Sequence, residues 1–400
     1  MTDTARNILL GVMVVFLVVV AFAAGYFTND YVELSTGTAK AADDKEKFSL
    51  FWEAWGWIEQ SYIGEVPPMK RVTYGAIRGA LSELNDPYTV FIEPPARDEE
   101  RDSLRGNFGG IGANIMRNEA GEVVLDPIPD NPAEAAGILP GDVLLAVDGL
   151  AIDAEMTVEA IAQLIRGEKE TTVTLTVRHP SASDAVDISI VRDDILIPSV
   201  SYRILASDRT IGYIQLSRFS GESSNEVRDA VRNLRDQGAR SLILDLRQNG
   251  GGLLDAAVDV ADHFIQGGPV IYQQSKGEEE RLYEASAETI AGDMPLVVLV
   301  DGGTASSSEI LAGALQDRDR AVLVGSRTFG KGSVQLVYDL SDGSSVHVTS
   351  SRWFTPDHHQ IDQQGLEPNI PVEITQEAID DGRDVVLDRA VEYIQNGMTD

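Results

Sequence analysis

Two short turns carry residue types that can do chemistry. Gln248-Asn249-Gly250-Gly251-Gly252 follows the apolar run SLILDLR, and Gly302-Gly303-Thr304-Ala305-Ser306-Ser307-Ser308-Glu309 follows PLVVLVD. Consecutive glycines let backbone amides approach a reacting atom, and the start of a helix adds amides with partial positive charge. Side by side, such turns can form an oxyanion hole, the electrostatic half of acyl transfer. Ser306 supplies a hydroxyl nucleophile at that place. The run Ser306-Ser307-Ser308-Glu309 is equally a capping box, with Glu309 reaching back to the amide of the capping serine. Both readings stand on the sequence alone.

Lys331 lies in GSRTFGKGSVQ, residues 325–335, where glycines and lysine fall as G-x-x-x-x-G-K. A phosphate-cradling loop needs Ser or Thr directly after the lysine and a helix whose first amides hold the phosphates. Position 332 is Gly, and residues 333–340 alternate polar and apolar, so a strand follows and the phosphate reading is set aside. Lys331 is then either a surface lysine before a strand or a functional group of another kind. His179, His263, His347, His358 and His359 are the other candidates for proton transfer. No G-x-S-x-G elbow marks a serine for them and no H-E-x-x-H marks a zinc site, so neither metal nor cofactor is expected.

Turns of this kind sit where buried strands end, so an alternating core has to position them. From Ile195 to about Asn396 strand and helix patterns alternate, predicting an α/β core over 194–396 with largely buried parallel strands. Before it, GGIGANI, EVVLDPI, DVLLAVDG, TTVTLTV and AVDISIV read as short strands, with helical pieces at 132–136 and 158–165. Residues 45–105 read as helical. Phe51, Trp52, Trp55, Ile58 and Tyr62 recur at helical spacing, as do Ile77, Ala80, Leu81 and Leu84 after Pro67-Pro68. The aromatic stripe fits a core or a subunit contact, and the second use would make the chain a homo-oligomer.

Composition narrows the partners. With 64 acidic against 32 basic residues the formal charge is −32, which repels nucleic acid and anionic membrane surfaces. The absence of cysteine excludes disulfides and thiol catalysis. Residues 8–27 form an uncharged, mostly apolar run long enough to cross a hydrocarbon layer of about 30 Å. With Arg6 before it, the run predicts a membrane anchor within 1–33, a cytoplasmic amino end and an exported remainder on a tether at 34–44. Ala21-Phe22-Ala23 keeps open a cleaved signal peptide and secretion.

NPAEAAGILPGDVLLAVDG, residues 131–149, together with the loop Gly109-Gly110-Ile111-Gly112, resembles a PDZ domain, here spanning 106–193. The resemblance implies that amides at Gly110, Ile111 and Gly112 hold a peptide's terminal carboxylate while the peptide adds as a strand. Arg166 follows the helix that borders the peptide groove in that family. Its guanidinium could meet a bound tail, the strand near Gln335, or the last carbonyls of its own helix.

GGTASSSEILAGALQD followed by RAVLVGSRTFGKGSVQ resembles the carboxyl-terminal processing, or tail-specific, proteases, which use a serine-lysine pair. With DLRQNGGGLL and RWFTP the likeness runs over most of the exported part. It implies Ser306 as nucleophile, Lys331, 25 residues later, as base, and Gln335 as the residue orienting that lysine. It further implies that the amides of Gly251 and Ser307 hold the oxyanion. Gly250 departs from the family's usual proline, which makes that turn more flexible. On a continuous strand positions 331 and 335 face the same way. A free lysine, with a pKa of about 10.4, is ammonium at neutral pH, and service as a base costs it about 4 kcal/mol. Burial can supply that, with Phe329 and the AVLVG run at 321–325 as the expected walls. The expected function is an extracytoplasmic serine endopeptidase that cuts proteins near their carboxyl ends, gated by tail binding at the PDZ domain. An inactive membrane-tethered PDZ adaptor and a hydrolase with a Ser-His-Asp triad are the alternatives.

Overall fold

The computed structural model describes residues 47–180 and 182–398. The expected anchor at 8–27, its cleavage site and the tether lie outside the described residues. Among those described, no helix is long and apolar enough to cross a membrane.

The chain divides into two compact units, 1–76 and 77–400. In the first, residues 47–61 are helical, and Phe51 stacks on Trp55 with ring centroids 6.4 Å apart. Trp52 and Tyr62 are more than half exposed, at 53% and 59%. The aromatic stripe therefore does not form a core among the described residues, which removes one of its two readings.

In the second unit a short strand, Val90–Ile92, leads into helix α1, Pro94–Arg105. Proline opens this helix and Gly106 closes it at φ 83, donating its N–H to the Asp102 carbonyl, so that each terminus carries the residue suited to it. The chain then enters a β-sheet built from Ala113–Arg117, Val123–Pro127, Asp142–Val147, Thr172–Arg178 and Val186–Val191, all neighbours antiparallel. Helix α2, Val158–Ile165, is capped by Thr157 and buries Ile161 and Ile165, one turn apart, in the core of this sheet. The strands and both helical pieces fall where the periodicity put them.

The core sheet runs in the order Val200–Ile204, Ile211–Leu216, β1 (Ser241–Asp245), β2 (Leu296–Val300), Val322–Gly325 and Ile370–Pro371. All pairs after the first are parallel. Every residue of β1 and β2 is buried, because a large core lies on one face and a second on the other, under the carboxyl-terminal helix Val385–Gln395. Two-sided burial is why these strands read as unbroken apolar runs. Helix α3, Ser307–Asp317, follows β2 and is buried over most of its length.

A second, antiparallel sheet stands beside the first. It joins Val90–Ile92, Ser345–Phe354, Gly268–Ser275 and Arg281–Ala285, with β3, Ser333–Asp339, also paired to Ser345–Phe354. Residues 90–105, read from the sequence as part of the helical region, thus contribute a strand to the sheet that carries the lysine segment.

Candidate active site

The two glycine turns meet because β1 and β2 are parallel neighbours, which brings their carboxyl ends together. The junction is held by side chains. Ser308 Oγ donates to the Asn249 carbonyl at 2.9 Å, Ser307 Oγ to the Gly252 carbonyl at 3.0 Å, and the Ala305 amide to the Asn249 carbonyl at 3.0 Å. A Cβ on Gly251 would lie 2.9 Å from the Ser306 Cβ, so glycine is required there for close approach.

Ser306 occupies the N-cap position of α3 and forms a capping box with Glu309. Its backbone, at φ 56 and ψ −119, is not that of an ordinary cap, whose residue lies in the extended region. Such a conformation costs a non-glycine residue on the order of 1–3 kcal/mol and must be imposed by its surroundings. Glu309 imposes it. One carboxylate oxygen accepts from the amides of Ser306 and Lys331, both at 2.9 Å, and the other from the Gly330 amide at 2.8 Å and the Thr328 hydroxyl at 2.5 Å. Each oxygen takes two donors, leaving no place for a proton. Burial raises the Glu309 carboxyl above its ordinary value, and these donors offset only part of that rise. The sequence assigned Glu309 to the Ser306 amide alone; its ties to residues 328–331 had no local signal.

Ser306, Lys331, Gly251, Ser307 and Gln335 all line one cleft of about 430 Å³. Lys331 is half-buried, and its Nζ lies 5.3 Å from the centre of the Tyr88 ring. Burial depresses its pKa below the ordinary lysine value, against the attraction of Glu100 and Asp86. Among the described residues no carboxylate is ion-paired with the Lys331 ammonium. The expected walls are replaced. Phe329 is 57% exposed, because the turn is anchored through its backbone to Glu309 and Thr304, and the AVLVG run belongs to the core sheet. Leu104, Ile310, Val334, Val337 and Trp353 line the cleft instead.

Gln335 does not reach the lysine in this arrangement; its amide donates to Ser333 Oγ at 3.0 Å. The argument from even spacing fails for two reasons. β3 starts only at Ser333, and an irregularity between Val334 and Gln335 breaks the alternation of side chains. Of the two expected oxyanion donors, the Ser307 N–H has no acceptor among the described residues, as befits the first turn of a helix. The Gly251 N–H is engaged by Asn249 Oδ1 at 2.9 Å. Of the five histidines only His347 lines the cleft, and its Nε2 lies 3.2 Å from Glu100 Oε2, with no hydrogen bond between this ring and Ser306.

In the other sheet domain Gly110 is paired in a ladder with Asp193, the Ile111 side chain is in the core, and Gly112 adopts φ 71 against Asn131. Arg166 stacks on Phe108, 4.4 Å from the ring centre, and pairs with Asp102 of α1 at 3.4 Å. Its backbone N–H closes its own helix on the Ala162 carbonyl, but its guanidinium does not cap the last carbonyls. Arg192 does so, its Nε donating to the Ile165 carbonyl at 2.7 Å. Among the described residues no hydrogen bond joins Arg166 to Gln335.

Family models match the chain in three places: peptidase family S41 over residues 210–372, a PDZ domain over 123–179, and the N-terminal domain of the activating protease CtpB over 8–95. A carboxyl-terminal-processing protease from Synechocystis sp. is 35% identical over 388 residues, covering 91% of this chain and 90% of its own. A carboxy-terminal-processing protease from Bartonella bacilliformis is 32% identical over 363 residues, covering 89% and 82%. The solved photosystem II D1 C-terminal processing protease is 34% identical, covers 81% of this chain and 92% of its own, and superposes with a TM-score of 0.46.

Proposed function

The chain belongs to the carboxyl-terminal-processing proteases of peptidase family S41, serine-type peptidases with a PDZ domain, and on that premise we propose that Ser306 and Lys331 are its catalytic dyad. The observation that carries this reading is the shared cleft, lined by both a strained serine and a half-buried lysine of lowered pKa. The neutral amine of Lys331 takes the Ser306 proton as Oγ attacks a peptide carbonyl. The ammonium then protonates the leaving amine, and water hydrolyses the acyl-enzyme by the same route in reverse. Oxyanion charge falls to the Ser307 amide, and to Gly251 once its N–H leaves Asn249. Gly250, whose Cβ position faces open space, is the residue about which that peptide can turn. Gln335 would orient the lysine after releasing Ser333, so the arrangement described is a resting one.

The tail site is assigned to Gly110, Ile111 and Gly112, with Arg166 as the element that communicates with the cleft. Support for the route comes from α1, since Asp102 pairs with Arg166 while Glu100 and Leu104 of the same helix line the cleft. Substrates are proteins with free carboxyl-terminal tails. We place the catalytic part outside the cytoplasm, on an anchor read from the apolar run at 8–27, and take the exposed aromatic helix of the first unit as a surface through which copies associate.

Ser306→Ala and Lys331→Ala should each abolish peptide cleavage with melting temperature little changed, while His347→Gln retains it. Full activity in either dyad variant sinks the dyad, and loss in the serine and histidine variants with Lys331→Ala still active restores the triad.

A further inference from the structure

Helix α1 has two working faces. Arg97, Glu100 and Leu104, spaced three and four apart, turn toward the protease sheet; Asp98, Asp102 and Arg105 line a polar hollow with Phe108 and Arg166 on the other side. On the first face Glu100 is fixed from two directions. Arg97, itself buried, donates to Glu100 Oε2 at 3.0 Å and to Asp339 at the end of β3 at 2.9 Å. His347 Nε2 approaches the same carboxylate oxygen to 3.2 Å without the alignment of a full hydrogen bond. The carboxylate is thereby held at the cleft wall that it shares with Lys331.

We propose that Glu100 is a positioning residue of this site: a fixed counter-charge, delivered by the helix that leads into the PDZ domain, that holds part of the Lys331 population as ammonium. The inference rests on Lys331 being the base. Among the described residues the other groups near the lysine are held by partners of their own, and Asp86 acts on it more weakly. Asp86 accepts from the Thr89 hydroxyl at 2.6 Å and the Tyr88 amide at 3.0 Å, within its own turn. Glu309 is saturated by its donors. Tyr88, its phenol pushed up by burial and by the charge of Asp362, presents a neutral ring. His347 moderates Glu100 and does not reach the lysine. Of the charges felt by the lysine, that of Glu100 favours its ammonium form most, ahead of Asp86. An opposite charge in a half-buried cleft favours the charged form of the amine, so Glu100 works against the burial that makes Lys331 a base. Because α1 also carries Asp102, any displacement of the helix that breaks the Arg166 pair also moves this counter-charge.

Two readouts on the full chain test this. In the first, lysine-labelled protein carrying Ser306→Ala, to prevent self-cleavage, is titrated by NMR, and the Lys331 Nζ signal is assigned by its loss in Lys331→Arg. Glu100→Gln lowers the midpoint, and Glu100→Asp, which keeps the charge but withdraws it by one methylene, lowers it less. In the second, kcat/KM of the active enzyme is followed against pH. Glu100→Gln raises the acid limb by roughly threefold at fixed pH, as a larger fraction of Lys331 is neutral there. Should Glu100→Gln not fold, the sign of the smaller displacement in Glu100→Asp decides. An unmoved or raised midpoint overturns the proposal. A midpoint that falls while the acid limb stays in place leaves Glu100 as the counter-charge and removes Lys331 as the base.

Discussion

On the nucleophile side of the cleft the turn before α3 is tied down by Glu309, Asn249 and the hydroxyls of Ser307 and Ser308, all buried. The base side is built from a segment that enters β3, whose later residues Leu336, Val337 and Tyr338 are 50%, 40% and 54% exposed. Its backbone shares the Glu309 clamp, but its side chains face other partners: Lys331 a tyrosine ring, Gln335 a serine. The contrast teaches a division of labour. Backbone geometry, which must be exact to fractions of an ångström for acyl transfer, is fixed in advance by buried hydrogen bonds. The side chains of the proposed dyad would then need only rotamer changes to engage, which leaves the core undisturbed.

Cutting the tie between the two sides should have the largest effect. Glu309→Gln puts an amide N–H₂ where two donors already point, leaving buried N–H groups unsatisfied and the strained Ser306 unsupported. Steady-state assays should show at least about a 100-fold fall in kcat, and thermal unfolding a loss of about 2–3 kcal/mol. A variant with near-normal kcat would mean that the backbone clamp is not what aligns the site.

A change confined to the base side should cost less. Gln335→Ala removes a side chain whose hydrogen-bond partner among the described residues is the buried Ser333 hydroxyl. We expect about a tenfold fall in kcat, KM within about twofold and an unchanged melting temperature, the pattern of an interaction made only in the transition state. Lowered stability would place Gln335 in the fold and not in the chemistry. The smallest effect belongs to Arg166→Ala, remote from both sides. Wild type should cleave a substrate with a free carboxyl end about two- to fivefold faster than its amidated twin, and the variant should lose that preference. Equal rates for both substrates in both enzymes would show that tail binding does not reach the cleft.

The amino-acid sequence made much of this molecule readable. β1 and β2 are buried on both faces, so hydrophobicity alone marks them, and the glycine turns after them mark the strand ends where a site forms. The PDZ strands were legible because one buried face gives alternation. Within α3, Ser306 and Glu309 announced themselves because a capping box is a local contact of three residues' span.

What the sequence could not supply is everything set by contacts between distant segments. Glu100 and Leu104 reach the cleft, and Tyr88 the lysine, because Val90–Ile92 pairs with a strand more than 250 residues later, and pairing at that range leaves no local period to detect. The Glu309 link to Lys331, the engaged Gly251 amide, the irregularity that turns Gln335 away from the lysine and the placement of Arg166 on Asp102 are of the same kind. Local propensity and hydrophobic period determine which elements form and which face each buries. Which charges then confront one another, and so the proton affinity of Lys331, depends on burial and distance, and only the tertiary structure decides those.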